Sequence, residues 1–311
     1  MKSITFFENN HEYGYCSEGS SPKLLSDLLG WLSSKSDELS ELHLALYLFN
    51  NEYFFEKLKE ISTKGTKVVI YSIPLEGYDS DRPASIRDRS TGAVVQSGTK
   101  YDFATELYKT ISCLSSSNIS LRIVPHMYLR SNRVRSFSRG QMPYSLHCKS
   151  FFAKCKNGES FVGLTSTNFA IRDAGKMESL SIISLNEEME YAAVDFYSGL
   201  QENSFTVQEF DEDKDWSHYR VAMRQVPPKS NLMFIAPFYR DSASQFEVNL
   251  KTMINRAKRR IVVCAQHVSS YEYSFERLYS EEKTSGYVKK DGFLKDVLQK
   301  AKQGADTTII S

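Results

Sequence analysis

The chain has no cysteines at C-x2-C spacing. Its five, Cys16, Cys113, Cys148, Cys155 and Cys264, are odd in number and scattered, which argues against a disulfide framework and against a zinc site. No run of apolar residues approaches the roughly 18 that a membrane-crossing helix needs, so no membrane span is expected. The opening Met1-Lys-Ser-Ile-Thr-Phe-Phe-Glu8 turns polar too early for a secretory signal, and a cytoplasmic location is the expectation. Charge of one sign is lacking as well. With 39 Lys and Arg against 38 Asp and Glu, the net charge is +1, so no overall field draws in nucleic acid or an anionic membrane and any pull on anions is local.

What is present is the composition of an ordinary globular protein, 41% hydrophobic and 25% charged over 311 residues, long enough for two domains. Apolar residues recur at helical spacing in 22–34 and again in 52–63, 102–115, 187–200, 245–259 and 292–303. Short strand-like runs separate them, at 42–49, 65–72, 119–124, 145–154, 160–168, 179–184, 260–265 and 304–311. This alternation predicts an α/β fold, a mixed sheet flanked by helices. Two stretches read as irregular: 75–100, rich in Gly, Ser, Asp and Arg, and 127–139, which holds Arg130, Arg133, Arg135 and Arg139. A third, 202–230, joins an acidic run to a proline pair and is the best boundary; its aromatics, Phe205, Phe210, Trp216 and Tyr219, predict a path along the surface.

One stretch carries chemistry. His147 and Lys149 sit two apart on a strand-like run, so their side chains project to the same side, about 7 Å apart along the chain. An imidazole and a fixed ammonium on one face suit an anionic centre such as a phosphodiester. The tripeptide H-x-K alone is weak, expected by chance about 0.4 times in this composition. Ser166 and Asn168 in S-x-N spacing, followed by Glu178, lower that expectation to roughly a few in a thousand.

With these residues the chain resembles the phospholipase D superfamily, whose signature reads H-x-K-x4-D, then G-S-x-N, then Glu. Here the match is His147-Cys-Lys149, Thr165-Ser166-Thr-Asn168 and Glu178, with Lys154 in place of the Asp and Thr165 in place of the Gly. The resemblance implies metal-independent phosphoryl transfer with no cofactor. His147 is the implied nucleophile, forming a phosphohistidine, and Glu178 the carboxylate that orients it. Lys149 and Asn168 are implied to hold the non-bridging oxygens, with Ser166 supporting the pocket. A second histidine, from a second copy of the motif, is implied to protonate the leaving oxygen. If position 154 tunes the histidine, Lys154 weakens the expectation of activity; if it is structural, the change is tolerable.

No second copy follows, yet a repeat is visible: strand, helix and strand at 42–49, 52–63 and 65–72, and again at 260–265, 292–303 and 304–311. The expectation is a first lobe at 1–204 carrying H-x-K, a connecting segment at 205–244, and the start of a second, incomplete lobe at 245–311. The chain accordingly reads as a fragment of a two-motif protein, the alternative being a homodimer in which each copy donates one His147. The substrate expectation is a phosphodiester, nucleic acid ahead of phospholipid, because the four arginines of 127–139 stand beside the motif in sequence. A solvated loop explains the same arginines. A phospholipid-acting phosphodiesterase or phosphatidyltransferase, and an inactive binding module, are the other two expectations.

Overall fold

A computed structural model describes residues 3–8, 22–75, 83–87, 94–114, 118–125, 146–170, 178–210, 221–227, 231–239, 242–264, 271–273, 289–291 and 293–310. Its elements are β1 (Ile4–Glu8), α1 (Pro22–Lys35), β2 (Leu39–Leu46), α2 (Glu52–Thr63), β3 (Lys67–Ser72), β4 (Pro83–Arg87), β5 (Val94–Thr99), α3 (Lys100–Ser112), β6 (Ile119–Ile123), β7 (Lys149–Cys155), β8 (Ser160–Thr165), β9 (Ser179–Ser184), α4 (Glu187–Glu202) and β10 (Phe205–Thr206). Beyond these lie α5 (Ser242–Arg256), β11 (Arg260–Cys264), β12 (Tyr271–Tyr273), β13 (Lys289–Asp291), α6 (Phe293–Lys302) and β14 (Asp306–Ile310).

Eight strands form one sheet in the order β1-β9-β8-β7-β2-β3-β6-β10. Strands β2, β3 and β6 run parallel, and the remaining neighbours are antiparallel. The mixed sheet flanked by helices is thus observed. Local sequence explains the helices. Asn51 caps α2, its side chain accepting from the Phe54 amide at 3.1 Å, and Asn186 caps α4 through the Met189 amide at 2.9 Å. Gly65, at φ 91°, supplies the left-handed turn after α2 that a side chain would resist.

The sheet is covered on both faces. Leu24, Leu28 and Leu32 of α1, Phe54, Phe55 and Leu58 of α2 and Leu107 and Ile111 of α3 pack over Leu42, Leu44, Ile70, Leu121, Phe151 and Leu180. The other face, with Ala45, Val69, Tyr71, Phe152 and Val162, packs against Phe196, Tyr197 and Leu200 of α4.

Of the stretch 202–230, Phe205 and Phe210 are half-buried, Phe205 at the sheet edge beside β6, while Trp216 and Tyr219 lie outside the described residues. Val221, Leu232, Phe234, Ala236 and Phe238 are buried in the α4-side core, and Phe234 stacks on Phe196 at 4.1 Å between centroids. Gly199 makes this possible, since a Cβ there would collide with the Phe238 ring. Arg224 closes the seam by pairing with Asp195 and Glu202, and the Tyr239 hydroxyl donates to Asp195 at 2.6 Å. Phe234 and Phe238, which lie beyond that stretch, cover the apolar face of α4.

The stretch 75–100 also departs from expectation: it contains the antiparallel hairpin of β4 and β5 rather than being irregular throughout. Further on, β11 and β14 pair in parallel, as β2 and β3 do, and α6 connects to β14 while packing against α5. No helix among the described residues is long and apolar enough to cross a membrane.

Candidate active site

Strand directions decide where the predicted residues fall. The C-terminal ends of β2, β3, β6 and β8 and the N-terminal ends of β7 and β9 all lie at one end of the sheet. That end carries His147 and Lys149 before and at the start of β7, Thr165 to Asn168 after β8, and Glu178 before β9. Position 149 lies opposite Leu46 and position 165 opposite Leu180, both leucines in the core beneath α1 to α3, so Lys149 and Thr165 share that face. Alternation from Leu180 carries position 178 to the same face.

His147 and Lys149 are brought together. The Lys149 ammonium lies 3.4 Å from both ring nitrogens of His147. The structure corrects one detail: β7 begins at Lys149, so His147 precedes the strand rather than belonging to it. The imidazole rests against the Tyr47 ring, 4.9 Å between centroids at 67°. Loss of surrounding water, and then the neighbouring Lys149 charge, push the His147 pKa below its ordinary value, which keeps the ring neutral and its lone pair available.

The turn after β8 is tied down by its own hydroxyls. Thr165 donates to the Ser179 carbonyl at 2.8 Å and accepts from the Thr167 amide at 3.2 Å. Thr165 therefore has a clear role where the resembled motif has glycine. The Ser166 hydroxyl accepts from the Ser179 amide at 2.9 Å, so this side chain is engaged in joining β8 to β9. Past Asn168 the backbone turns left-handed at Phe169, φ 54°, an uncommon conformation for a bulky residue. It is held by Asn51, whose Nδ2 donates to the Phe169 carbonyl at 3.0 Å, and by the contact of the Phe169 and Phe54 rings at 5.5 Å. The N-terminus of α2 is thereby fastened to the segment that carries Asn168.

Lys154 does not face the site. It lies on the α4 side of β7, in register with Glu41, and its ammonium pairs with Glu190 of α4 at 3.0 Å. It stands about 16 Å along the strand from Lys149. Whatever a carboxylate does at that position elsewhere, position 154 cannot tune His147 in this chain. Cys148 also points to the α4 side, and burial raises its pKa, as suits a packed thiol. His43 is on that same far face, between Glu41 and Tyr71, its pKa lowered chiefly by burial.

Arg130, Arg133, Arg135 and Arg139 lie outside the described residues, while Pro125 and Leu146 on either side of them are both at the His147 end of the sheet. Sequence reading missed Tyr47 and Asn51. An Asn immediately before a helix is a visible capping signal, but its second bond, to Phe169, crosses from α2 to the β8 turn and has no trace in local sequence. Tyr47 had no signal beyond standing at a strand end. Among the described residues no group of His, Cys, Asp and Glu could hold a metal ion.

No protein-family model and no curated protein sequence matches the chain. Similar solved structures include NucT from Helicobacter pylori, 15% identical over 66% of this chain and 98% of its own, with a TM-score of 0.41. Nuc from Salmonella typhimurium, described as a phospholipase D family member, is 14% identical over 66% of this chain and 98% of its own, at 0.36. Phosphatidylserine synthase from Haemophilus influenzae is 13% identical over 68% of this chain and 41% of its own, at 0.39. The comparisons thus return a likeness of structure without a match of sequence, and one of these solved structures is described as a phospholipase D family member.

Proposed function

We propose that the protein is a phosphodiesterase that cleaves through a phosphohistidine on His147, with nucleic acid as its substrate. The observation that carries this is the imidazole held 3.4 Å from the Lys149 ammonium at the strand-end edge where the Asn168 turn and Glu178 also converge. A neutral ring nitrogen of His147 attacks phosphorus, and the bond to the leaving oxygen breaks with its electron pair. That oxygen takes a proton from an acid. Water then attacks phosphorus and gives its proton to the conjugate base of that acid, the P–N bond breaks, and both the neutral imidazole and the acid are regenerated. Lys149 and Asn168 balance the charge on the non-bridging oxygens, and Glu178 orients the ring and stabilises its positive charge in the intermediate. Ser166 serves by fixing the turn.

The acid is the histidine of a second H-x-K motif, supplied by a second lobe or by a second copy of the chain. In this proposal 1–204 is the first lobe, 205–244 the connection and 245–311 the start of the second lobe. The parallel pairing of β11 with β14, like that of β2 with β3, supports the repeat. Nucleic acid is favoured because Arg130, Arg133, Arg135 and Arg139 belong to the segment that leaves from and returns to the His147 end of the sheet, where they can grip flanking phosphates.

The test is to quench the protein with a 32P-labelled oligonucleotide in EDTA and ask for acid-labile, base-stable label. Label that forms in wild type and is absent from His147→Ala supports the assignment; turnover without label in both sinks it. Labelled phospholipid vesicles run alongside separate nucleic acid from lipid.

The pH dependence has a definite sign. Attack needs the unprotonated ring and departure needs the protonated acid, so the rate rises with pH through the His147 pKa and falls again as the acid loses its proton. Burial and Lys149 place the rising limb below the ordinary 6.5. Lys149→Met removes the second cause and moves the rising limb upward; a rising limb above 6.5 in wild type contradicts the assignment.

Lys154 gives an opposite kind of prediction. Lys154→Ala loses an ion pair at the surface, at a cost of less than about 1 kcal/mol in a thermal melt, and leaves kcat unchanged. A large fall in kcat shows that position 154 reaches the site after all.

A further inference from the structure

The rungs of β7 end at Lys149. On β2 the last pair is Leu46 with Lys149, and on β8 the pairing starts with Leu164 opposite Ser150. His147 therefore lies beyond the last rung, where sheet pairing does not set its position. In an extended chain the even positions 146, 148 and 150 face one way and the odd ones, 147 and 149, the other. Pinning the even set aims the odd set.

The even set is pinned. Leu146 is buried among the α4-side core residues, and Cys148 packs against them. The Cys148 thiol lies 3.1 Å from the Ser150 hydroxyl, which lies 2.8 Å from the Tyr197 hydroxyl of α4. Tyr197 is 2% exposed and stacks on Phe152 at 6.0 Å and 28°. Apolar packing alone resists a change of volume but tolerates rotation, whereas a buried hydrogen-bonded string fixes distances, because half-breaking it strands a polar group. On the opposite side His147 meets Lys149 and Tyr47.

We propose that the Cys148–Ser150–Tyr197 string is a positioning device for His147, tying residues 146–148 to α4 so that the imidazole is held between Lys149 and Tyr47. Ser150 and Tyr197 are positioning residues; neither touches substrate. The kinetic consequence rests on the phosphodiesterase assignment, while the placement of the ring does not.

The experiment uses Ser150→Ala, Tyr197→Phe and the double variant in the full chain. Three quantities are read: the His147 ring-proton resonances, which the Tyr47 ring current displaces; kcat and KM on bis(p-nitrophenyl) phosphate; and the thermal melt. Tyr47→Leu supplies the resonance positions without the ring current. The expected result is that the His147 resonances of each variant move toward those of Tyr47→Leu. Alongside this, kcat falls about tenfold, KM stays within about twofold, and the double variant is no worse than the poorer single. A merely structural string lowers the melting temperature and leaves the His147 resonances at wild-type positions, which overturns the proposal. If His147→Ala cleaves as well as wild type, the assignment of His147 as nucleophile fails, and the resonances of the other variants alone still decide the placement.

Discussion

Replacing His147 with alanine lowers phosphodiester cleavage by on the order of a thousandfold or more, with the melting temperature close to wild type. Both halves follow from position. The ring is the proposed nucleophile, so its loss removes the covalent route rather than weakening a contact, and what remains is binding and charge stabilisation by Lys149 and Asn168. The side chain keeps part of its surface in solvent, stands before β7 and contributes nothing to the ladder, so the fold hardly registers the change. His147→Gln, which keeps a polar group near Lys149 but cannot attack, behaves like the alanine variant if the role is nucleophilic. Retention of substantial activity by His147→Gln points instead to electrostatic help.

Gly163→Val produces the converse: a large loss of stability at a residue with no chemistry. Gly163 on β8 sits opposite Phe151 on β7, and the Phe151 ring lies across it, filling the space a Cβ needs. Trp31 packs over the same ring at 5.6 Å and over Phe161 at 5.3 Å, so Phe151 has little room to yield. Overpacking here costs about 3 kcal/mol or more, read as a lowered urea midpoint. Phe151→Leu in the same chain restores part of that loss, because the two changes share one space and are not additive. Full additivity refutes the steric account.

The elements were legible wherever period and punctuation agreed. Helix α2 was expected at 52–63 and is observed at Glu52–Thr63, because Gly65 marks its end as clearly as the apolar stripe marks its face. The site strands were less legible. Continuous apolar runs carried the strand expectation back to 145 and on to 168, whereas β7 starts at Lys149 and β8 stops at Thr165. Backbone pairing ends there because side chains take over: the hydroxyls of Thr165, Ser166 and Thr167 bond main-chain groups and turn the chain out of the sheet. The burial of Phe234 and Phe238 had no local signal, and only the apolar face of α4 accounts for it.

Residue type and interval alone determined that an imidazole and an ammonium share a side, since alternation along an extended chain is a property of covalent geometry. The same intervals marked Asn168 and Glu178 as companions. They did not determine the meaning of Lys154, the engagement of Ser166 with β9, the ring of Tyr47 against His147, or the string through Ser150 to Tyr197. Each of these depends on which strand lies beside β7 and which helix lies behind it. Such neighbours are far apart in sequence and are chosen by burial of both faces of the sheet, a property of the whole chain that no local pattern encodes.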